Sequence, residues 1–278
     1  MGHGKLRKFA ENETFRCLLQ PDASSVLAKP EGSKELILRD HAIKGRWNED
    51  MFAKPQPIVV ELGCGKGDYT IALARRHPEM NFIGVDIKGA RLWKGAKEAT
   101  EDALGNVAFL RTRIEFIDAF FGPGEISEIW LTFSDPQLRG SENARLTSPL
   151  FLGRYSRFLV PDGIVHLKTD SRFLYEYTRS VIRANDLEVL ASGTDIYGDG
   201  IQTLLELPDL DAVFEVQTFY ESMFLKMGLP ITYLAFRLGE RKEFAYPTDF
   251  DAAYWREAEG PRRSFSHQPT KGPSNGSV

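Results

Sequence analysis

Cysteine is scarce: the 278 residues hold two, Cys17 and Cys64. Two thiols cannot make a four-thiolate zinc site. One lies near the N-terminus and the other in a glycine loop, so a structural disulfide is not expected and the reducing cytoplasm is the expected compartment. No window approaches the roughly 20 apolar residues that cross a bilayer, so no membrane partner is expected. The opening MGHGKLRKFAENETF is basic at its start but has no apolar core, and it does not read as a secretory signal. It begins Met-Gly, yet Leu6 stands where a myristoylation site wants Ser or Thr. Positive charge is not in excess either. With 35 Lys and Arg against 39 Asp and Glu, the net charge of −4 argues against a protein coated in nucleic acid, while leaving room for a local basic patch. No repeat at solenoid or propeller periods is visible.

What is present is an ordinary soluble composition, 42% hydrophobic and 12% aromatic, enough for one sizeable core. From residue 57 short apolar runs alternate with amphipathic stretches: PIVVELG, NFIGVDI, NVAFLR, EIWLTFS, GIVHLKT and, later, PITYLAFRL. Each has the length of a buried strand. Helices are predicted over residues 67–76, 88–103, 148–159 and 171–184, the third opening on Ser-Pro, a cap followed by Pro in the first turn. Alternating strands and helices build a doubly wound α/β sheet, mostly parallel and covered on both faces. The predicted organisation is an N-terminal arm over 1–50, basic at its start, a domain over 51–245, and a polar, disordered tail over 246–278.

The stretch ELGCGKG at 61–67 links the first strong strand to a helix. Its spacing is neither the G-x-G-x-x-G of a dinucleotide site nor the Gly-Lys-Ser/Thr of a phosphate loop. Gly63, Gly65 and Gly67 let backbone approach a ligand. A pyrophosphate favours a bare helix N-terminus, whereas Glu61 and Asp68 flank this loop and suit a cation or an amino group. S-adenosylmethionine offers both, a sulfonium and an α-ammonium. Asp86 ends the next strand about twenty residues on, where a carboxylate can accept both ribose hydroxyls. Glu61, Gly63, Gly65 and Asp86 are therefore the expected cofactor residues, and no metal is expected.

Asp135 closes the apparent fourth strand, beside the expected position of a cofactor methyl. Amine methyltransferases commonly carry Pro-Pro-aromatic after such an acid, whereas this chain has SDPQL, so exocyclic amine chemistry is disfavoured. ELGCGKGDYTIALARRHPEMNFIGVDIK, LTFSDP, RLTSPLFLGRYSRFLVPDGIVHLKTDS and TFYESMFLKMGLPITYLAFRL together resemble the bacterial tRNA (guanine-N7-)-methyltransferases, over most of 58–238 and in the same order. The resemblance implies a Rossmann-like class I methyltransferase with a seven-stranded sheet, transferring a methyl to N7 of a guanine in the tRNA variable loop. Carried over by position, Glu61, Asp86 and Asp135 are cofactor-site acids, with Asp135 also the catalytic residue. Arg139, Asp170, Thr218 and Glu221 face substrate. Two departures stand out. DPQLRGSENAR replaces the family's Asp-Pro-Trp-Pro and dense basic run, and Arg113 occupies the place of the usual third cofactor acid, with Glu115 as an alternative.

Guanine N7 carries a lone pair and no proton, so the implied chemistry needs alignment and no strong base. For RNA, the basic residues fall in three groups: Lys88, Arg91, Lys94 and Lys97 around Trp93; Lys5, Arg7 and Lys8; and Arg139, Arg145, Arg154 and Arg157. The thinned loop predicts weaker and more salt-sensitive tRNA binding than in a typical relative. His166 reads as a hydrogen-bonded core histidine. The other readings are a small-molecule methyltransferase built on the same loop and a non-catalytic scaffold binding cofactor and RNA. A monomer or homodimer is expected.

Overall fold

Strand-forming runs buried along their whole length set the architecture. IVVEL and NFIGVD are buried at every position, as parallel strands covered on both faces must be. In chain order the seven long strands are β1 (Ile58–Leu62), β2 (Asn81–Asp86), β3 (Val107–Arg111), β4 (Ile126–Thr132), β5 (Leu159–Thr169), β6 (Val189–Gly193) and β7 (Thr232–Arg237). The helices are α1 (His3–Asn12), α2 (Asp68–Arg76), α3 (Gly89–Glu101), α4 (Pro149–Tyr155), α5 (Arg172–Ala184), α6 (Phe219–Lys226) and α7 (Ala252–Glu259), with shorter turns between them. The computed structural model describes residues 3–29, 31–32, 35–205, 207 and 209–260.

The long strands lie in the order 3-2-1-4-5-7-6, and two-residue strands at Leu18–Leu19 and Gln202–Thr203 extend the edges to nine. Strands β1 to β5 pair in parallel, while β7 inserts antiparallel between β5 and β6. The order reverses at β1 and β4, and in an open α/β sheet the crevice beyond the carboxyl ends at that switch holds the ligand. Side chains alternate between two cores. Ile58, Val60 and Leu62 join the face that α4 and α5 cover, and Val59 joins the face packed by α2 and α3.

Close packing beneath the glycine loop has one centre, the Phe109 ring on β3. A Cβ at Gly67, Gly84 or Gly95 would stand 2.6–2.7 Å from that ring. Gly67 is therefore small for packing and for its left-handed φ of +77°, whereas nothing lies within 4 Å of a Cβ built on Gly63 or Gly65.

The N-terminal arm carries a helix, and the first part of the expected disordered tail is ordered. Helix α1 docks on the domain: Lys8 lies over the Trp93 ring of α3, and Asn12 donates to Gly89 O at 2.9 Å. Residues 246–260 are also part of the domain. Phe250 meets Phe173 and Tyr177 edge-on, and Asp249 pairs with Arg183. The sequence hid this because AAYWREAE is short, with no apolar stripe of its own. Its order comes from tertiary contacts. The rest of the expected tail, 261–278, lies outside the described residues.

Candidate active site

The glycine turn is pinned at both ends. The N–H groups of Gly63 and Cys64 both donate to Val85 O, and Gly67 N–H closes the turn onto Cys64 O. Asp86, at the end of β2 and 8% exposed, accepts from Gly65 N at 3.1 Å and Lys88 N at 2.7 Å. This carboxylate links the glycine turn to the turn that starts α3, with lone pairs to spare for further donors. Cys64 is buried, and that burial, with Glu61 and Asp86 nearby, pushes its thiol well above the usual range, so it is inert.

Glu61, expected among the cofactor residues, lies on β1 just before the glycine turn. It is 4% exposed and accepts from Thr70 N at 2.9 Å, Thr70 Oγ1, and Thr132 Oγ1 at 2.6 Å. Its carboxylate thus ties β1 to the first turn of α2 and to the end of β4. Burial raises its pKa, against the lowering pull of Thr132 and Thr70.

Asp135 is exposed just past β4. The β1–β4 register, Glu61 opposite Trp130, sets the glycine turn alongside the residues leading into it. The chain turns there through Phe133 at φ +50° and Gln137 at φ +51°, and Asp135 Oδ1 accepts from Gln137 N at 2.9 Å. Ser134 Oγ is buried with no hydrogen-bond partner among the described residues. Asp170 ends up half-buried just beyond β5, which pairs with β4 through Thr132 and Lys168. Asp135 therefore follows β4 at the switch point, and Asp170 follows the neighbouring β5. Arg139 is exposed on the same loop as Asp135.

A family profile described as "Putative methyltransferase" matches residues 55–231. The tRNA (guanine-N(7)-)-methyltransferase of Christiangramia forsetii is 46% identical over 235 residues, 84% of this chain and 97% of that protein. That of Bacteroides thetaiotaomicron is 45% identical over 86% of this chain and 87% of its own. The chain belongs to the tRNA (guanine-N7-)-methyltransferase family. A solved 16S rRNA methyltransferase, KamB, shares the fold, with a TM-score of 0.51 at 13% identity over 74% of this chain and 97% of that one.

Thr218 and Glu221, expected at substrate, form a capping box at the start of α6. Glu221 is 0% exposed, pairs with Lys168 at 2.6 Å, and accepts from the Tyr197 hydroxyl at 2.8 Å. Lys168, in the same HLKTD stretch as Asp170, is also 0% exposed. It donates to Val213 O and Val216 O as well. Burial lowers its pKa, and Glu221 pulls it back. Arg113 lies over Phe116 and pairs with Glu115 at 3.2 Å, so the two charges at the end of β3 offset each other. His166 is buried as read from sequence, hydrogen-bonded to Tyr233 at 2.8 Å and stacked on Trp130 at 4.0 Å.

The basic run thins further in three dimensions. Arg145 is 4% exposed, its guanidinium over Phe173 and Tyr177 and its Nε on Pro136 O, so it braces the loop from below. Arg157 pairs with Asp118, and Arg154 lies over Phe151.

Proposed function

We propose that this chain transfers a methyl group from S-adenosylmethionine to N7 of a guanine in the variable loop of tRNA, in the cytoplasm, as a monomer or homodimer. The observation that carries the reading is the match, along nearly the whole of relatives bearing that activity in their names, of a chain whose Asp135 stands at the switch point of the sheet.

The residues present fit the cofactor. At Gly63 and Gly65, with φ of +83° and +59°, the backbone faces open space where any other residue would project a side chain. Asp86 faces the same turn with acceptor capacity left for ribose hydroxyls. Glu61 acts from beneath, holding the turn in shape, and no contact with ligand is assigned to it. When bound, S-adenosylmethionine supplies a methyl on a cationic sulfur. Everything else falls to the chain's own residues.

Because N7 presents a lone pair without a proton, the site has to align the base rather than deprotonate it. Orientation alone can lower such barriers by roughly 7–11 kcal/mol. The purine gains positive charge as the bond forms, and a fixed carboxylate there stabilises the growing charge more than the neutral base. Asp135, steadied by Gln137 N–H, takes that role. Arg139 and Asp170 hold the substrate from either side, the first toward phosphate and the second toward the base.

The test is incubation with unmodified tRNA transcripts and methyl-labelled S-adenosylmethionine, followed by chain cleavage at 7-methylguanine. Label at a variable-loop guanine is the expected result. Bound cofactor with no label on any tRNA overturns the reading.

A further inference from the structure

Helix α7 touches both sides of the substrate mouth. From one turn, Arg256 donates through Nε to Leu138 O at 2.7 Å, next to Arg139 on the loop after β4. One turn later Glu259 accepts from Ser171 Oγ at 2.6 Å and from Phe173 N at 2.9 Å, at the start of α5 beside Asp170. A carboxylate at a helix N-terminus also meets the positive end of its dipole. The segment leading into α7 repeats the bridge, because the Tyr246 hydroxyl donates to Asn143 Oδ1 at 2.6 Å on the same loop.

Helix α7 thus bridges the two walls at their outer side, above the bridge that Arg145 makes from the loop to Phe173 and Tyr177. Arg256 and Glu259 stand three residues apart, about 4.5 Å along a helix axis, so neither wall can move without straining the other's hydrogen bond. Between Leu138 and Arg145 the loop reads RGSENA, one glycine among polar and small residues. A loop of that composition needs an outside tether to hold one geometry.

We propose that α7 is a strap that sets the distance between the Asp135–Arg139 loop and the Asp170 wall, with Arg256 and Glu259 as positioning residues for tRNA methylation. The activity part rests on the function proposed above, whereas the structural part does not. An exposed hydrogen bond contributes little to global stability, so loss of Arg256 loosens the loop without unfolding the protein.

The experiment uses the full chain and the variants Arg256→Ala, Arg256→Lys, Glu259→Gln and the double variant Arg256→Ala/Glu259→Gln. Amide hydrogen exchange is read over 134–146 and over 170–174, beside steady-state kinetics in tRNA and in S-adenosylmethionine. In Arg256→Ala, exchange rises in 134–146, and in Glu259→Gln it rises at 170–174, with thermal midpoints close to wild type. The kcat/KM for tRNA falls about 10- to 100-fold, as misplacement of a site by about an ångström can do, while KM for S-adenosylmethionine holds. Arg256→Lys, which keeps a donor, recovers most of the loss. The double variant falls short of the product of the singles, because the strap fails as a unit. Unchanged exchange in both walls overturns the strap, and so does a loss confined to thermal midpoint and cofactor affinity. If wild-type protein methylates no tRNA, the proposed function fails, and the exchange measurements still decide the strap.

Discussion

A carboxylate that steadies a developing purine cation must stay in place. Asp135 is exposed just past β4 and is held there by the Gln137 N–H. Asp135→Ala removes the charge and leaves the glycine turn and Asp86 alone. Turnover should fall by about 100- to 1000-fold, the range for losing one fixed electrostatic partner of a transition state, with S-adenosylmethionine affinity by calorimetry unchanged. Turnover close to wild type removes Asp135 from the mechanism. Glu61 presents the opposite case, an acid held inside by three hydrogen bonds. Its folded pKa is raised above the ordinary 4.5 by burial. The folded state therefore holds a proton that the unfolded chain gives up, and stability falls as pH rises from about 4.5 through the raised value. Glu61→Gln keeps the shape and can still pair with Thr70 and Thr132, but it cannot ionise. The melting temperature of the variant minus that of wild type should grow between about pH 4.5 and pH 8, the sign expected for an acid with a raised folded pKa. A flat difference shows that Glu61 ionises without cost.

At the scale of elements, β3 carries the packing centre on which the glycine loop rests. Ala at position 95 would place its Cβ 2.6 Å from Phe109 Cζ and 2.8 Å from Lys66 O, which is backbone of the loop itself. Gly95→Ala should cost about 1–3 kcal/mol, the usual penalty for overfilling a packed core, and weaken cofactor binding because Lys66 O has to shift. Phe109→Leu should return part of both losses in the double variant, read by urea unfolding and calorimetry. Additive effects mean that the clash relaxes elsewhere. This scale also separates what could be read in the sequence from what could not. Strands β1 to β5 and β7 announce themselves as apolar runs, and Asp86 declares itself by ending one. Strand β6 does not, because VLASG has only Val189 and Leu190 as strand formers and ends in Ala, Ser and Gly. The Glu221–Lys168 pair was invisible for another reason. Thr-x-x-Glu and Lys-Thr-Asp each look like substrate motifs in isolation, and only the fold brings the two charges together, both fully buried.

For the whole molecule, the fold decides how a chain of net charge −4 can hold a polyanion. Packing of α1 on α3 joins two basic groups into one surface, with Lys8 and Lys97 over Trp93 and Arg111 over Phe9. Much of that charge is already answered from within. Arg7 pairs with Glu11, Lys94 with Asp68, and Lys97 with Glu101. Lys88 is exposed and Arg91 partly so, and neither has an ion-pair partner among the described residues. Counterion release then reverses the expectation of heightened salt sensitivity. Binding with few unpaired cations releases few counterions, so tRNA affinity should be weak and its logarithm should fall only gently with the logarithm of salt concentration. Lys88→Ala with Arg91→Ala should weaken binding of all tRNAs alike and reduce that slope by about 2, roughly one per lost phosphate contact. Lys94→Ala should change it far less, since its charge is already engaged by Asp68. Filter binding between about 50 and 200 mM salt measures both slopes. A larger change from Lys94→Ala than from the Lys88–Arg91 pair would mean that tRNA breaks the internal ion pairs on docking, and would move the RNA footprint along α3 toward the glycine turn.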